Sequence, residues 1–221
     1  GETILGGQFV TAAGGKGANQ AVGAARAGGQ VTFVARVGQD VFGDQAVAGF
    51  ARDGLDVRYV FRDKAAPSGV ALIFVDKAGE NSIAVAGGAN ARLSPADVSR
   101  ATAAIAAAHV LVMQLETPLG TVQAAAELAT EAGVRVILNP APARKLPDRL
   151  LKLVSVLTPN ETEAEWLTGI AVDGEATAAR AAARLLAKGV QTVILTLGAR
   201  GAWVADASGQ RGVFVAGSAA E

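Results

Sequence analysis

Cysteine is absent from the 221 residues, and histidine, methionine and tyrosine occur once each. Without cysteine there are no disulfides, no thiolate metal sites and no Cys nucleophile, a composition that fits the reducing cytosol. A Ser-His-Asp triad would have to use His109, and a multi-histidine zinc site is impossible. His109 sits between an Ala-rich helical stretch and the apolar run Val110–Met113, the place of a helix-end or strand-start residue. Net charge is also lacking: Lys+Arg and Asp+Glu number 20 each, so no global field recruits nucleic acid or an anionic membrane. No apolar run reaches the ~20 residues of a membrane span, and no signal peptide is visible.

What is abundant is apolar residues, 51% of the chain, enough for a sizeable core. Apolar runs of strand length alternate with stretches of helical period, with Gly, Pro or Asn at the joins. The strands are expected at Val31–Val37, His109–Leu115, Val134–Leu138, Val154–Leu157 and Thr192–Leu197. Helices are expected over Ala18–Ala27, Pro95–Ala107, Leu119–Ala132, Glu161–Leu167 and Glu175–Lys188. Ser94-Pro95-Ala96-Asp97 is a helix start, with Ser at N-cap and Pro at the first helical position, and Gly133 and Gly189 close helices. Repeated βα units with near-continuous apolar strands predict an α/β fold of three layers, a parallel sheet with helices on both faces. Ligands then bind where loops leave the carboxyl ends of strands. That selects Leu115–Pro118, Asn139–Pro142, Thr158–Glu161 and Thr196–Gly201.

One segment breaks the alternation. Gly69–Asp76, a polar turn and Asn81–Ala86 read as a β-hairpin. Both of its faces are apolar, so both are expected to be covered, by a ligand, a partner chain or the edge of the main sheet.

Four places can carry chemistry. Ala13–Gln20 holds Gly14, Gly15 and Gly17 just ahead of a helix, so backbone amides and a positive dipole end face outward, with Lys16 and Asn19 as further donors. It is neither a Walker A loop nor G-x-G-x-x-G, and a plain glycine turn accounts for it equally well. Asn160-Glu161-Thr162-Glu163 opens a helix after a strand. Asn160 and Glu163 suit either water organised around Mg²⁺ and phosphate or a capping box, and the two roles can coexist. Thr196–Gly201 permits a tight turn whose amides hold phosphates, or a simple hairpin. Glu116 ends an apolar strand, where a carboxylate is costly unless it is paired or faces a site. Helix capping suffices for Asp40 and Asp44, a solvated face for Arg144, Lys145 and Arg149, and core or edge packing for Trp166 and Trp203.

Taken in order, GGKGANQA at Gly14–Ala21, GVALIFVD at Gly69–Asp76, MQLETP at Met113–Pro118, LNPAPAR at Leu138–Arg144, TPNETEAEWLTG at Thr158–Gly169 and TLGARG at Thr196–Gly201 resemble the ribokinase-like carbohydrate kinases. The MQLE, NPAPAR and PNETEAE stretches favour the ribose-phosphorylating branch over fructose- or adenosine-phosphorylating relatives. The resemblance implies a ribokinase-like fold with a small β lid and ATP-dependent phosphorylation of D-ribose at its 5-hydroxyl, with Mg²⁺ and activation by K⁺. It implies sugar binding by Gly15, Lys16, Gly17, Asn19 and Glu116. It implies nucleotide binding by Asn160, Thr196, Gly198, Ala199 and Gly201, and metal support by Glu163. The lid implied comprises strands within 4–11 and 69–86 and also forms the contact of a cytoplasmic homodimer. The family's Asn-x-Asp strand is expected ahead of Gly1 and its Gly-Ala-Gly-Asp base beyond Glu221. Residues 1–221 are therefore expected to be one incomplete kinase domain with no catalytic Asp. A kinase for another sugar or nucleoside, or a truncated non-catalytic sugar-binding protein, are the alternatives.

Overall fold

A computed structural model describes residues 10–75, 81–208 and 212–217. The chain enters through helix α1, Lys16–Arg26, and then builds a βαβ unit: β1 Thr32–Gly38, α2 Val41–Arg52 and β2 Asp56–Asp63. The two strands pair in parallel, and Ala21, Phe50, Leu55 and Val60 form a small core beneath them. Phe33 meets Phe50 edge to face, with ring centroids 5.1 Å apart. As capping predicts, Asp40 starts α2 by accepting from the Gly43 amide at 2.8 Å.

Strands β3, Val70–Val75, and β4, Asn81–Ala86, form the expected hairpin. Among the described residues it is a two-stranded sheet of its own and does not extend the main sheet. Among the described residues nothing covers its faces: Leu72, Ile73, Phe74, Val75, Ile83 and Val85 are all exposed, which leaves a ligand or a partner chain to cover them. A 3₁₀ turn, Gly88–Arg92, leads out of it.

The remainder is one layered unit. It comprises α3 Pro95–Arg100, α4 Thr102–Ala106, β5 Val110–Met113, α5 Leu119–Glu131, β6 Arg135–Leu138, α6 Asp148–Leu151 and β7 Val156–Leu157. Helices α7 Glu161–Thr168 and α8 Glu175–Ala187, and strands β8 Thr192–Thr196, β9 Gly201–Asp206 and β10 Val213–Ala216, complete it. The sheet order is β10-β9-β8-β7-β6-β5, parallel from β5 to β8. Leu138, Leu157, Leu195, Val136 and Val193 are fully buried between the helical layers. Each such side chain contributes roughly 1.5–3 kcal/mol of burial.

The sheet is mainly parallel, and β9 and β10 run antiparallel to their neighbours, as the hairpin reading of Thr196–Gly201 has it. Only the turn Gly198–Arg200 joins β8 to β9, and a connection that short reverses the chain, whereas a parallel step needs a crossover. The helix expected over Pro95–Ala107 is broken at Ala101. The Ser99 and Thr102 hydroxyls donate to the carbonyls of Pro95 and Ser99, local bonds that compete with the helical ladder. Trp166 is largely exposed, because the buried stripe of α7 runs through Glu163, Ala164, Leu167 and Thr168 and leaves position 166 outside it. Trp203 does pack on the core. His109 lies in the turn before β5, and Arg144, Lys145 and Arg149 are exposed. Of the first lid strand, residues 4–9 lie outside the described residues, while Val10 and Thr11 carry no strand.

Candidate functional site

The carboxyl ends of the parallel strands carry the expected loops side by side. Past β5, the Leu115 amide donates to the Ala141 carbonyl at 2.9 Å. Past β6, the Asn139 side-chain amide donates to the Thr158 carbonyl at 2.9 Å. Past β7, Asn160 bridges to Thr196, whose amide donates to the Pro159 carbonyl at 2.9 Å. Backbone hydrogen bonds and the Asn139 side chain tie these loops into one continuous rim.

At one end of the rim, the Lys16 amide donates to Glu116 Oε2 at 2.7 Å. Gly15, at φ +100°, is the N-cap of α1, with no side chain to satisfy the first-turn donors. Glu116 therefore fills an acceptor role that the glycine turn cannot supply itself, and it stands at the positive end of the helix. This is the pairing that a carboxylate at the end of an apolar strand requires. A Cβ on Gly17 would lie 2.9 Å from Gln114 Oε1, so a larger residue there would displace the Gln114 side chain. Gln114 in turn donates to the Gln20 side chain. Residues 114 and 116 thus pin two successive turns of α1 to the end of β5. Gln20 and Gln114 were not among the predicted site residues. Two polar residues alternating at the end of an apolar strand were the available signal. Asn19 is exposed and lines a groove of about 370 Å³ between α1 and α2, which Lys16 and Glu116 do not line.

At the other end of the rim, Asn160 and Glu163 form a reciprocal capping box. The Glu163 amide donates to Asn160 Oδ1 at 2.8 Å, and the Asn160 amide donates to Glu163 Oε2 at 2.9 Å. Glu163 is buried by this role while Asn160 stays exposed. Thr196 leads into the turn formed by Gly198, Ala199 and Gly201, where Gly198 and Gly201 have φ of +58° and +118°. A Cβ on Gly201 would fall 2.0 Å from the Val215 carbonyl oxygen, so the turn is held against β10 and closes only with glycine there. Arg200 pairs with Glu161 and donates to the Asp173 carbonyl. Gly198 and Ala199 are exposed beside Thr196.

Among the described residues, no cluster of three or more acidic, His or Cys side chains is placed to enclose a metal. One carboxylate beside a helix start suits a hydrated Mg²⁺ that takes its other ligands from water and phosphate.

The layered α/β unit, with a glycine-capped helix and a glycine-rich turn at opposite ends of one strand-end rim, has the ribokinase fold. The structure of Arabidopsis thaliana ribokinase complexed with ribose and ATP shares that fold: TM-score 0.89, 30% identity, covering 97% of this chain and 70% of that one. The family signature described as pfkB family carbohydrate kinase matches residues 1–220, and the chain belongs to that family. It is 48% identical to a ribokinase of Haemophilus influenzae over 92% of this chain and 67% of that protein. It is 41% identical to a deoxyribokinase of Salmonella typhi over 91% of this chain and 66% of that protein. The chain thus spans about two thirds of these curated relatives.

Proposed function

We propose that this protein is an ATP-dependent kinase that phosphorylates D-ribose at its 5-hydroxyl. The observation that carries the proposal is the Lys16–Glu116 contact, which brings the glycine turn onto the same rim that holds Asn160 and Thr196. Likeness to proteins named ribokinase supports the choice of sugar.

In this reading Gly15 and Gly17 let the backbone approach the sugar, while Lys16 and Asn19 donate to its hydroxyls. Glu116 accepts from a hydroxyl through the carboxylate oxygen that the Lys16 amide leaves free. Thr196 and the amides of Gly198, Ala199 and Gly201 hold the nucleotide phosphates. Asn160 and Glu163 orient the water around Mg²⁺, whose charge neutralises the transferring phosphate. K⁺ acts as an activator, and no residue of this chain is assigned to it. No residue within 1–221 is assigned as the base either. The β3–β4 hairpin is the lid that closes over the sugar and excludes water, and its apolar faces join two copies in a cytoplasmic homodimer.

The test is an assay of the full-length gene product with ATP, Mg²⁺ and K⁺ against D-ribose, 2-deoxy-D-ribose, fructose and adenosine. The highest kcat/KM is expected for D-ribose. A preference for adenosine or fructose, or no sugar phosphorylation at all, overturns the proposal. A preference for 2-deoxy-D-ribose would place the protein with its deoxyribokinase relative instead.

A further inference from the structure

Residues 10–14 enter α1 as exposed chain with neither helix nor strand, and Gly15 then turns at φ +100°. An exposed lead-in of this kind does not by itself set where the helix start stands. Further along, Ala18, Ala21, Val22 and Ala25 seat α1 on the small core that includes Phe50 and Val60. The loops that carry Asn160 and Thr196 belong to the layered unit instead. A sugar held at the start of α1 must therefore be placed relative to phosphates held on a different core. At the rim, the bridge between the two is α1 itself, bonded to the residues that follow β5.

Two bonds make that bridge. The Lys16 amide donates to Glu116 Oε2 at 2.7 Å, and Gln114 Nε2 donates to Gln20 Oε1. Their spacing is matched. Two residues of extended chain cover about 6.6 Å, and four residues of helix cover about 6 Å. Residues 16 and 20 lie one turn apart on one helix face, running against the direction from 114 to 116. A single bond would let α1 tilt about it, whereas two bonds a turn apart fix the tilt. Gln114 stands on firm backbone: the Met113 carbonyl accepts from the Asn139 amide and the Leu115 amide donates to the Ala141 carbonyl, each at 2.9 Å. Met113 and Leu115 are buried, and the alternation that turns them inward turns 114 and 116 toward the helix. Gln114 Oε1 also fills the space beside Gly17, where a Cβ would come within 2.9 Å of it. The helix start thus rests against the same amide group that bonds it.

We propose that Gln114 is a positioning residue for sugar phosphorylation: through Gln20 it fixes the tilt of α1, so that the glycine turn and Glu116 present the sugar to the nucleotide in one orientation. This rests on the reading of Gly15–Asn19 and Glu116 as the sugar site. Glutamine suits the position because it donates to Gln20 while adding no second negative charge next to Glu116.

The experiment measures Tm, kcat and the KM for D-ribose and for MgATP in full-length gene product. The variants are Gln114→Ala, Gln20→Ala, the two combined, Gln20→Glu and Glu116→Gln. The ribose KM should rise about threefold to tenfold in each single Ala variant, the range that loss of one neutral hydrogen bond gives, while the KM for MgATP holds. The double variant should be no worse than either single one, because both remove the same bond. Gln20→Glu keeps an acceptor for Gln114 and should recover most of the loss. A purely structural role would lower Tm or the active fraction, and kcat with it, without moving the ribose KM. Alanine favours helix, so Gln20→Ala keeps α1 intact and tests the bond even if Gln114→Ala does not fold. An unchanged ribose KM in the single variants, or additive losses in the double, while Glu116→Gln weakens ribose, overturns the positioning role and spares the sugar site. If Glu116→Gln leaves ribose unaffected, the sugar-site reading fails and the role of Gln114 falls with it.

Discussion

Glu116 holds the Lys16 amide with one oxygen, and the proposed sugar contact falls to the other. Replacing it with Gln keeps the shape and an acceptor for Lys16 but removes the charge. Hydrogen bonds to charged groups contribute about 1.5–3 kcal/mol, so Glu116→Gln is expected to lower kcat/KM for the sugar roughly 10- to 100-fold. The KM for ATP should stay put. Steady-state kinetics with each substrate varied in turn checks this, and a loss shared equally by both substrates would remove Glu116 from the sugar site.

Asp63 supports a second prediction at the same scale. Its pKa is lowered from 3.8 to about 2, chiefly by the Ala65 amide; burial opposes the shift, and Arg92 adds to it. A carboxyl held below its unfolded value stabilises the fold above that value and loses the effect as pH falls through the folded one. The contribution of Asp63 is therefore complete above about pH 4 and fades toward pH 2. Asp97 leans the same way: burial raises its pKa, but the Arg36 guanidinium and the Ser94 donors bring it below the usual value. In melting curves recorded across this range, wild type should lose Tm more steeply than Asp63→Asn. Parallel slopes would mean that Asp63 does not carry the acid sensitivity.

At the scale of elements, the start of α7 serves two roles that substitution can separate. Asn160 caps the helix, and the proposal also gives it water near Mg²⁺. Ser caps about as well as Asn, whereas Ala forfeits about 1 kcal/mol. Asn160→Ser should thus keep Tm near wild type while raising the KM for MgATP, and Asn160→Ala should lower both stability and nucleotide affinity. If Asn160→Ser is wild type in both respects, Asn160 is a cap and nothing more.

The same element shows what the sequence could express. Asn160 and Glu163, three apart behind an apolar strand, announced both the helix start and their own pairing, because that interaction is local. The glycine turn at 14–17 was equally readable. What escaped notice depends on residues far apart in the chain: Gln114 on Gln20, Asp63 on Arg92, and Ser68 on Asp40. Taken singly, each is an ordinary polar residue in a loop or at a strand end. The break at Ala101 was not legible for another reason. Apolar period records which face is buried, not whether the ladder continues.

For the molecule as a whole, the unresolved account is the hairpin. Large apolar side chains are exposed elsewhere too, at Val41, Phe42 and Trp166 among others, but in the hairpin Phe74 is 66% exposed and Leu72, Ile73, Val75, Ile83 and Val85 stand out with it. A two-stranded hairpin is at best marginally stable alone in water, and contiguous apolar surface of this kind marks a contact site. The proposed occupant is the same hairpin of a second copy, which would cover one face and leave the other to close over the sugar. Full-length gene product should sediment as a dimer, and Phe74→Asp together with Ile83→Asp should shift it toward monomer. Because a freed lid no longer has its partner's support, the monomer should also bind ribose more weakly while its MgATP binding holds. A double variant that stays dimeric would place the interface elsewhere. One that becomes monomeric with unaltered ribose KM would show that pairing and closure are independent properties of the two faces.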